Sequence, residues 1–168
     1  MPSAANIALY LAIAALVFYK VIYTQMRGTL LSRKSLVTLP LILTVLGAVQ
    51  VAQDLPRASA GEFGLFAVDV LVLAGIGILR STSTTLSERD GTTFQKGSML
   101  TIGLWVLTVA VRVGFITLAT ALGIAGSLTT GSILFTVGVS IGVQNAVTYF
   151  RIQQRRLPLS EQRVTAVR

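Results

Sequence analysis

The chain has 168 residues, of which 53% are hydrophobic and only 12% charged, with a formal net charge of +8. A soluble domain of this length carries about twice that share of charged residues, and the mean hydropathy is +0.77, so the composition excludes an ordinary water-soluble protein and points to bilayer as the solvent. Cysteine and histidine are both absent, which excludes thiol relays, disulfides and imidazole ligation of haem, zinc or copper, and no cofactor is expected.

The chain opens with MPSAANIALYLAIAALVFYK, which lacks the basic start and the cleavage site of a signal peptide. It reads as a retained span over Ala4–Ile22. Four further stretches are long and apolar enough to cross a bilayer: Leu36–Ala52, Phe63–Leu79, Ser98–Ile124 and Leu128–Phe150. Between the second and third, QDLPRASAGE carries turn signals, and only AGS separates the fourth from the fifth. The expected fold is therefore all-α, a polytopic membrane bundle of five transmembrane helices over residues 1–150, followed by a basic cytoplasmic tail over 151–168. In STSTTLSERDGTTFQKG, between the third and fourth spans, Asp90-Gly91 is a hairpin dipeptide flanked by Leu86 and Phe94, which predicts a short cytoplasmic β-hairpin.

Orientation follows from Lys and Arg in the short loops. Lys20, Arg27, Arg33, Lys34, Arg80, Arg89, Lys96, Arg151, Arg155, Arg156, Arg163 and Arg168 all fall on one side of a five-span chain, against Arg57 alone on the other. The N-terminus is thus expected outside and the C-terminus in the cytoplasm. Because topology accounts for the basic loops, no nucleic-acid partner is required, and Arg151, Arg155 and Arg156 are expected to face anionic headgroups or a partner. Arg outnumbers Lys 11 to 3 in this Ala-, Gly- and Val-rich chain, a composition typical of GC-rich bacterial genomes, and a bacterial inner membrane is expected.

Small residues mark the packing seams: Gly138, Gly142 and Ala146 at four-residue spacing, with Gly131 on the same general face. They serve either contacts within the bundle or contacts with another membrane protein or a second copy.

The chemistry concentrates in a few polar groups at depth. An Asp or Arg at a helix centre costs about 2.5 to 3.5 kcal/mol, so such groups face the protein interior or a cavity. Asp69 and Arg112 lie at similar depths on adjacent antiparallel spans and are predicted to pair. Thr101, Trp105, Thr108 and Arg112 share one helical face, as do Glu62, Asp69 and Arg80 on the preceding span. Gln50 near the outer end of the second span, and Asn145 on the Gly138/Gly142 face, complete a candidate intramembrane site of Asp69, Arg112, Thr108, Trp105, Gln50 and Asn145. Gln144 points about 100° away from Asn145 on a helix. One reading is a pair that fixes helix register; the other is a polar path through the membrane.

Within GIGILRSTSTTLSERDGTTFQKGSMLTIGLWVLTVAVR, residues 75–112, the positions Gly75, Gly77, Arg80, Asp90, Gly91, Trp105 and Arg112, together with Pro40 and Gly47, form a pattern that resembles the CcdC-like family of small bacterial membrane proteins. That resemblance implies an association with cytochrome c biogenesis. Lacking thiol and imidazole, this chain could serve there only as an accessory or scaffold. The functional expectation is a non-enzymatic integral membrane protein acting as an accessory, assembly or scaffold subunit, with a transporter or channel component lined by Asp69 and Arg112 as the alternative. An intramembrane enzyme acting on lipid finds no acid, base or metal motif at a suitable spacing.

Overall fold

The computed structural model describes residues 27–89 and 91–159. The expected span Ala4–Ile22, Asp90 and the chain from 160 onward lie outside the described residues. Strand β1 (Thr29–Leu30) leads into helix α1 (Arg33–Asp54), and one 3-10 turn, Leu55–Arg57, connects it to α2 (Ala60–Thr82). Strands β2 (Thr85–Arg89) and β3 (Thr92–Lys96) follow, then α3 (Met99–Ala121), the short α4 (Ser127–Gly131) and α5 (Ile133–Gln154). Among the described residues, four helices are long and apolar enough to cross a membrane. At 1.5 Å per residue each measures roughly 33 Å, close to the thickness of a hydrocarbon core.

The distribution of side chains is inverted relative to a soluble protein. Val37, Leu41, Val45 and Val49 of α1 and Leu71 of α2 are exposed, whereas Thr101, Thr136, Ser140 and Thr148 are buried. In lipid the apolar effect does not drive helices together, so contact falls to small and hydroxyl-bearing residues that permit close approach and interhelical hydrogen bonds.

Helix α5 is central, packing on α1 along one side and α2 along the other, with α3 resting on α2. The α2–α5 seam is parallel. Its hydrogen bonds join Ser140 to Leu73, Ser81 to Thr148 and Arg151 to Thr84, each pair 67 residues apart. Gly77 holds this seam together, because a side chain there would run into the Ser140 carbonyl. The α1–α5 seam is antiparallel and built on glycine. A Cβ at Gly47 would collide with the Phe135 backbone, one at Gly138 would lie 2.6 Å from the Thr44 nitrogen, and one at Gly142 would meet Pro40 at an ordinary 3.6 Å. The two helices therefore touch most closely near Gly47 and diverge toward the start of α1. Gly138 and Gly142 work inside the chain, while Ala146 of the same stripe is exposed.

Pro40 sits inside α1, where it lacks the N–H that would bond the carbonyl of Leu36. That carbonyl instead accepts from Asn145 Nδ2 at 2.8 Å. A polar group on α5 thus satisfies a backbone acceptor that lipid could not.

The expected hairpin is present with one strand more than the sequence indicates. β3 pairs antiparallel with β2, Ser87 opposite Phe94, and on its other edge with β1, Leu30 opposite Phe94, in the order β1-β3-β2. Gly91 adopts φ +68 at the turn, a conformation that suits glycine. Two residues of Thr-Leu are too short for an alternation signal, which is why β1 is invisible in the sequence.

Two boundaries require correction. The tail does not begin at 151: α5 runs to Gln154, Pro158 accepts from Thr93 N at 2.8 Å, and Leu157 and Leu159 pack on a cluster of Leu31, Leu36, Leu86 and Ile152 beneath the sheet. The stretch Leu128–Phe150 is not one helix either, since Ser132 separates α4 from α5.

Candidate functional site

The break at Ser132 explains why charges are placed at depth. A broken helix leaves backbone donors and acceptors without partners, and within a bilayer they must be satisfied by protein. Glu62, at the start of α2 and itself 4% exposed, caps the N-terminus of α4. Its Oε1 accepts from Thr129 N at 2.7 Å, Thr129 Oγ1 at 2.9 Å and Gly126 N at 3.0 Å. Arg112 of α3 supplies the donor: Nη2 donates to the Thr129 carbonyl at 2.6 Å and to Ser132 Oγ at 3.0 Å. The Thr129 carbonyl lies four residues before Ile133, so it is one of the acceptors that a break at Ser132 leaves without an in-helix donor.

Arg112 Nη1 donates to Asp69 Oδ2, forming an ion pair between α3 and α2. Topology sets this meeting. Asp69 lies nine residues after the first residue of α2 and Arg112 nine before the last of α3, and the two helices run antiparallel. The Asp69 side chain is 2% exposed and that of Arg112 12%. Asp69 Oδ1 and Arg112 Nε are buried without a protein partner. Both residues border a cavity of about 20 Å3, lined also by Glu62, Thr129, Ser132 and Phe115. That volume holds about one water molecule. The constellation is a brace of two carboxylates and one guanidinium: Arg112 joins Asp69 to the Thr129 carbonyl and Ser132, Glu62 caps α4, and Asp69 Oδ1 and Arg112 Nε are left beside the water-sized cavity.

The other expected members of the site lie elsewhere. Trp105 stacks on Arg80, whose guanidinium carbon is 3.9 Å from the ring centroid. Arg80 is 0% exposed; its Nη2 donates to Ser140 Oγ at 3.0 Å, and Nε and Nη1 have no partner. This second polar layer lies 11 residues along α2 from Asp69, roughly 16 Å. Thr108 is buried but donates to the Leu104 carbonyl of its own helix at 2.8 Å. Asn145 serves Leu36, as above, and Gln50 is exposed on α1. Helical phase put Trp105, Thr108 and Asn145 on protein-facing sides, but which neighbour each meets depends on helix order, which phase does not encode; Gln50, expected in the site from its depth alone, faces away from the bundle.

Arg151 also departs from expectation. It is half-buried and donates to the carbonyls of Ser81 and, at 3.2 Å, Thr84, closing the C-terminal end of α2. A cation at the last carbonyls of a helix satisfies orphan acceptors and complements the dipole. Arg155 and Arg156 remain exposed.

Patterning misses three features here. Thr129 and Ser132 look like ordinary polar residues at a helix end, and Glu62 has the phase of Asp69 without a visible partner. The buried stripe Thr136, Ser140, Gln144 and Thr148 on α5 repeats at four residues and was legible in principle, though the glycine stripe beside it is the more familiar signal. No protein-family model, no curated protein and no solved structure matches this chain.

Proposed function

We propose that the chain is a multi-pass protein of a bacterial inner membrane, with five spans, the N-terminus outside and the C-terminus in the cytoplasm. We infer that it acts as a non-enzymatic accessory, assembly or scaffold subunit. The observation that carries this reading is the closure of the deep charges. Arg112 bonds Asp69, Thr129 and Ser132, and Glu62 bonds the N–H groups of α4, so the charges serve the fold. The orientation draws support from the charge pattern. Among the described residues, Arg27, Arg33, Lys34, Arg89, Lys96, Arg155 and Arg156 lie at or beyond the helix ends next to the sheet, and Arg57 lies at the opposite end. The resemblance to CcdC-like proteins adds an assembly context without assigning chemistry to these residues.

A second reading, a transport component, draws on the helix break itself. Discontinuous helices with charges at the break are the usual way transporters build a midplane site.

Purification of tagged protein from native membranes in mild detergent separates the two. The accessory reading expects a second membrane protein in stoichiometric amount, still captured when Arg112 and Asp69 are both replaced by Leu, provided that variant folds. A protein that purifies alone and supports solute flux in proteoliposomes, lost in Arg112→Lys, would establish the transport reading instead.

A further inference from the structure

A groove of about 420 Å3 lies between α1 and α5, at the sheet end of the bundle. The clearance between the two helices widens from Gly47 through Gly138 to Gly142, toward this end, where Val37 and Ala146 line the groove. Its polarity is graded. Along α1 the lining runs from Arg33 through the apolar Leu36, Val37 and Leu41 to Thr44, with Asn145 and Tyr149 contributed by α5. Arg33 is exposed, as is Lys34 beside it. The order is that of an amphiphile: anion, then hydrogen-bonding carbonyls, then hydrocarbon.

We propose that this groove is a binding site for one anionic glycerophospholipid of the adjacent leaflet. The phosphodiester sits on Arg33 and Lys34, with the Tyr149 hydroxyl at the level of the ester groups, and one acyl chain runs along Val37 and Leu41 over Ala146. From Arg33 to Thr44 the groove follows α1 for about 16 Å, a length along which one acyl chain can lie. Charge favours an anionic headgroup over a zwitterionic one, since each interfacial Lys or Arg attracts an anionic leaflet. The site lies apart from the Asp69–Arg112 brace and stands independently of the accessory reading.

The test is native mass spectrometry of the full chain in detergent, titrated with phosphatidylglycerol or with phosphatidylcholine. One phosphatidylglycerol is expected to be retained in preference to phosphatidylcholine. Arg33→Ala should lower that preference about fivefold, the worth of one interfacial cation. Ala146→Phe, a substitution at an exposed position that fills the groove, should abolish retention while the melting temperature is unchanged. Arg155→Ala with Arg156→Ala should leave retention intact. Equal retention of the two lipids, an equal loss in the Arg155/Arg156 variant, or undiminished retention in Ala146→Phe would each overturn the proposal. The last result would accompany a groove covered by another protein helix.

Discussion

Replacing Asp69 and Arg112 singly and together tests whether the brace is a coupled unit. Asp69→Leu leaves Arg112 bonded to Thr129 and Ser132 but without a counter-charge at depth, and breaking a buried pair in this way costs about 3 to 5 kcal/mol. Arg112→Leu does more damage. It strands the Asp69 carboxylate and also orphans the Thr129 carbonyl, adding about 1 to 3 kcal/mol for an unsatisfied buried acceptor. In the double variant neither charge remains, and only the cost of the orphaned carbonyl and the altered packing persists. The double variant is therefore expected to be more stable than Arg112→Leu alone, with a coupling energy of about 2 kcal/mol or more. The chain has one tryptophan, and Trp105 stacks on buried Arg80, so its fluorescence reports unfolding in mixed micelles as denaturing detergent is raised. Additive losses would refute the reasoning, because they would mean that the two charges do not stabilise each other.

Asn145→Leu should cost about 1 to 3 kcal/mol by orphaning the Leu36 carbonyl, and Pro40→Ala in the same chain should recover most of the loss by restoring the in-helix donor; a double variant no better than Asn145→Leu, by the same unfolding assay, would contradict this. Gly138→Val should separate α1 from α5 and lower the melting temperature sharply, whereas Gly103→Ala, with open space around it, should be neutral or stabilising by up to about 1 kcal/mol. Arg80→Met removes a fully buried cation that has no carboxylate partner among the described residues; the variant should match or exceed the wild type in stability and shift the Trp105 emission. A loss of about 3 kcal/mol or more, the scale of a broken buried pair, would show that the stack on Trp105 holds the bundle.

Hydropathy resolved the four described spanning helices because the bilayer demands long apolar runs with internally satisfied backbones, a constraint that acts on sequence directly. Asp69 and Arg112 were legible as a pair for a related reason. Depth in an antiparallel hairpin is set by residue count from the helix ends. The break at Ser132 was not legible, since Leu128–Phe150 carries no charge and Arg112, which bonds the freed Thr129 carbonyl, comes from another helix. Asn145 shows no sign in the sequence of its true partner, the Leu36 carbonyl freed by Pro40, because that relation exists only where α1 and α5 are neighbours. Trp105 and Arg80 were each placed on inward faces, but their stacking depends on the lateral register of α2 and α3, which no periodicity specifies.

Water access to the brace tests the central claim most directly. The chain is free of cysteine, so a single thiol can be introduced as Ser132→Cys at a side chain that is 1% exposed, and as Leu55→Cys at one that is 43% exposed. A closed brace predicts that, in native membranes, a membrane-impermeant thiol reagent modifies Leu55→Cys and leaves Ser132→Cys unreacted until the protein is denatured. Rapid modification of Ser132→Cys in the folded protein would contradict it, because the charges would then line a water-filled path.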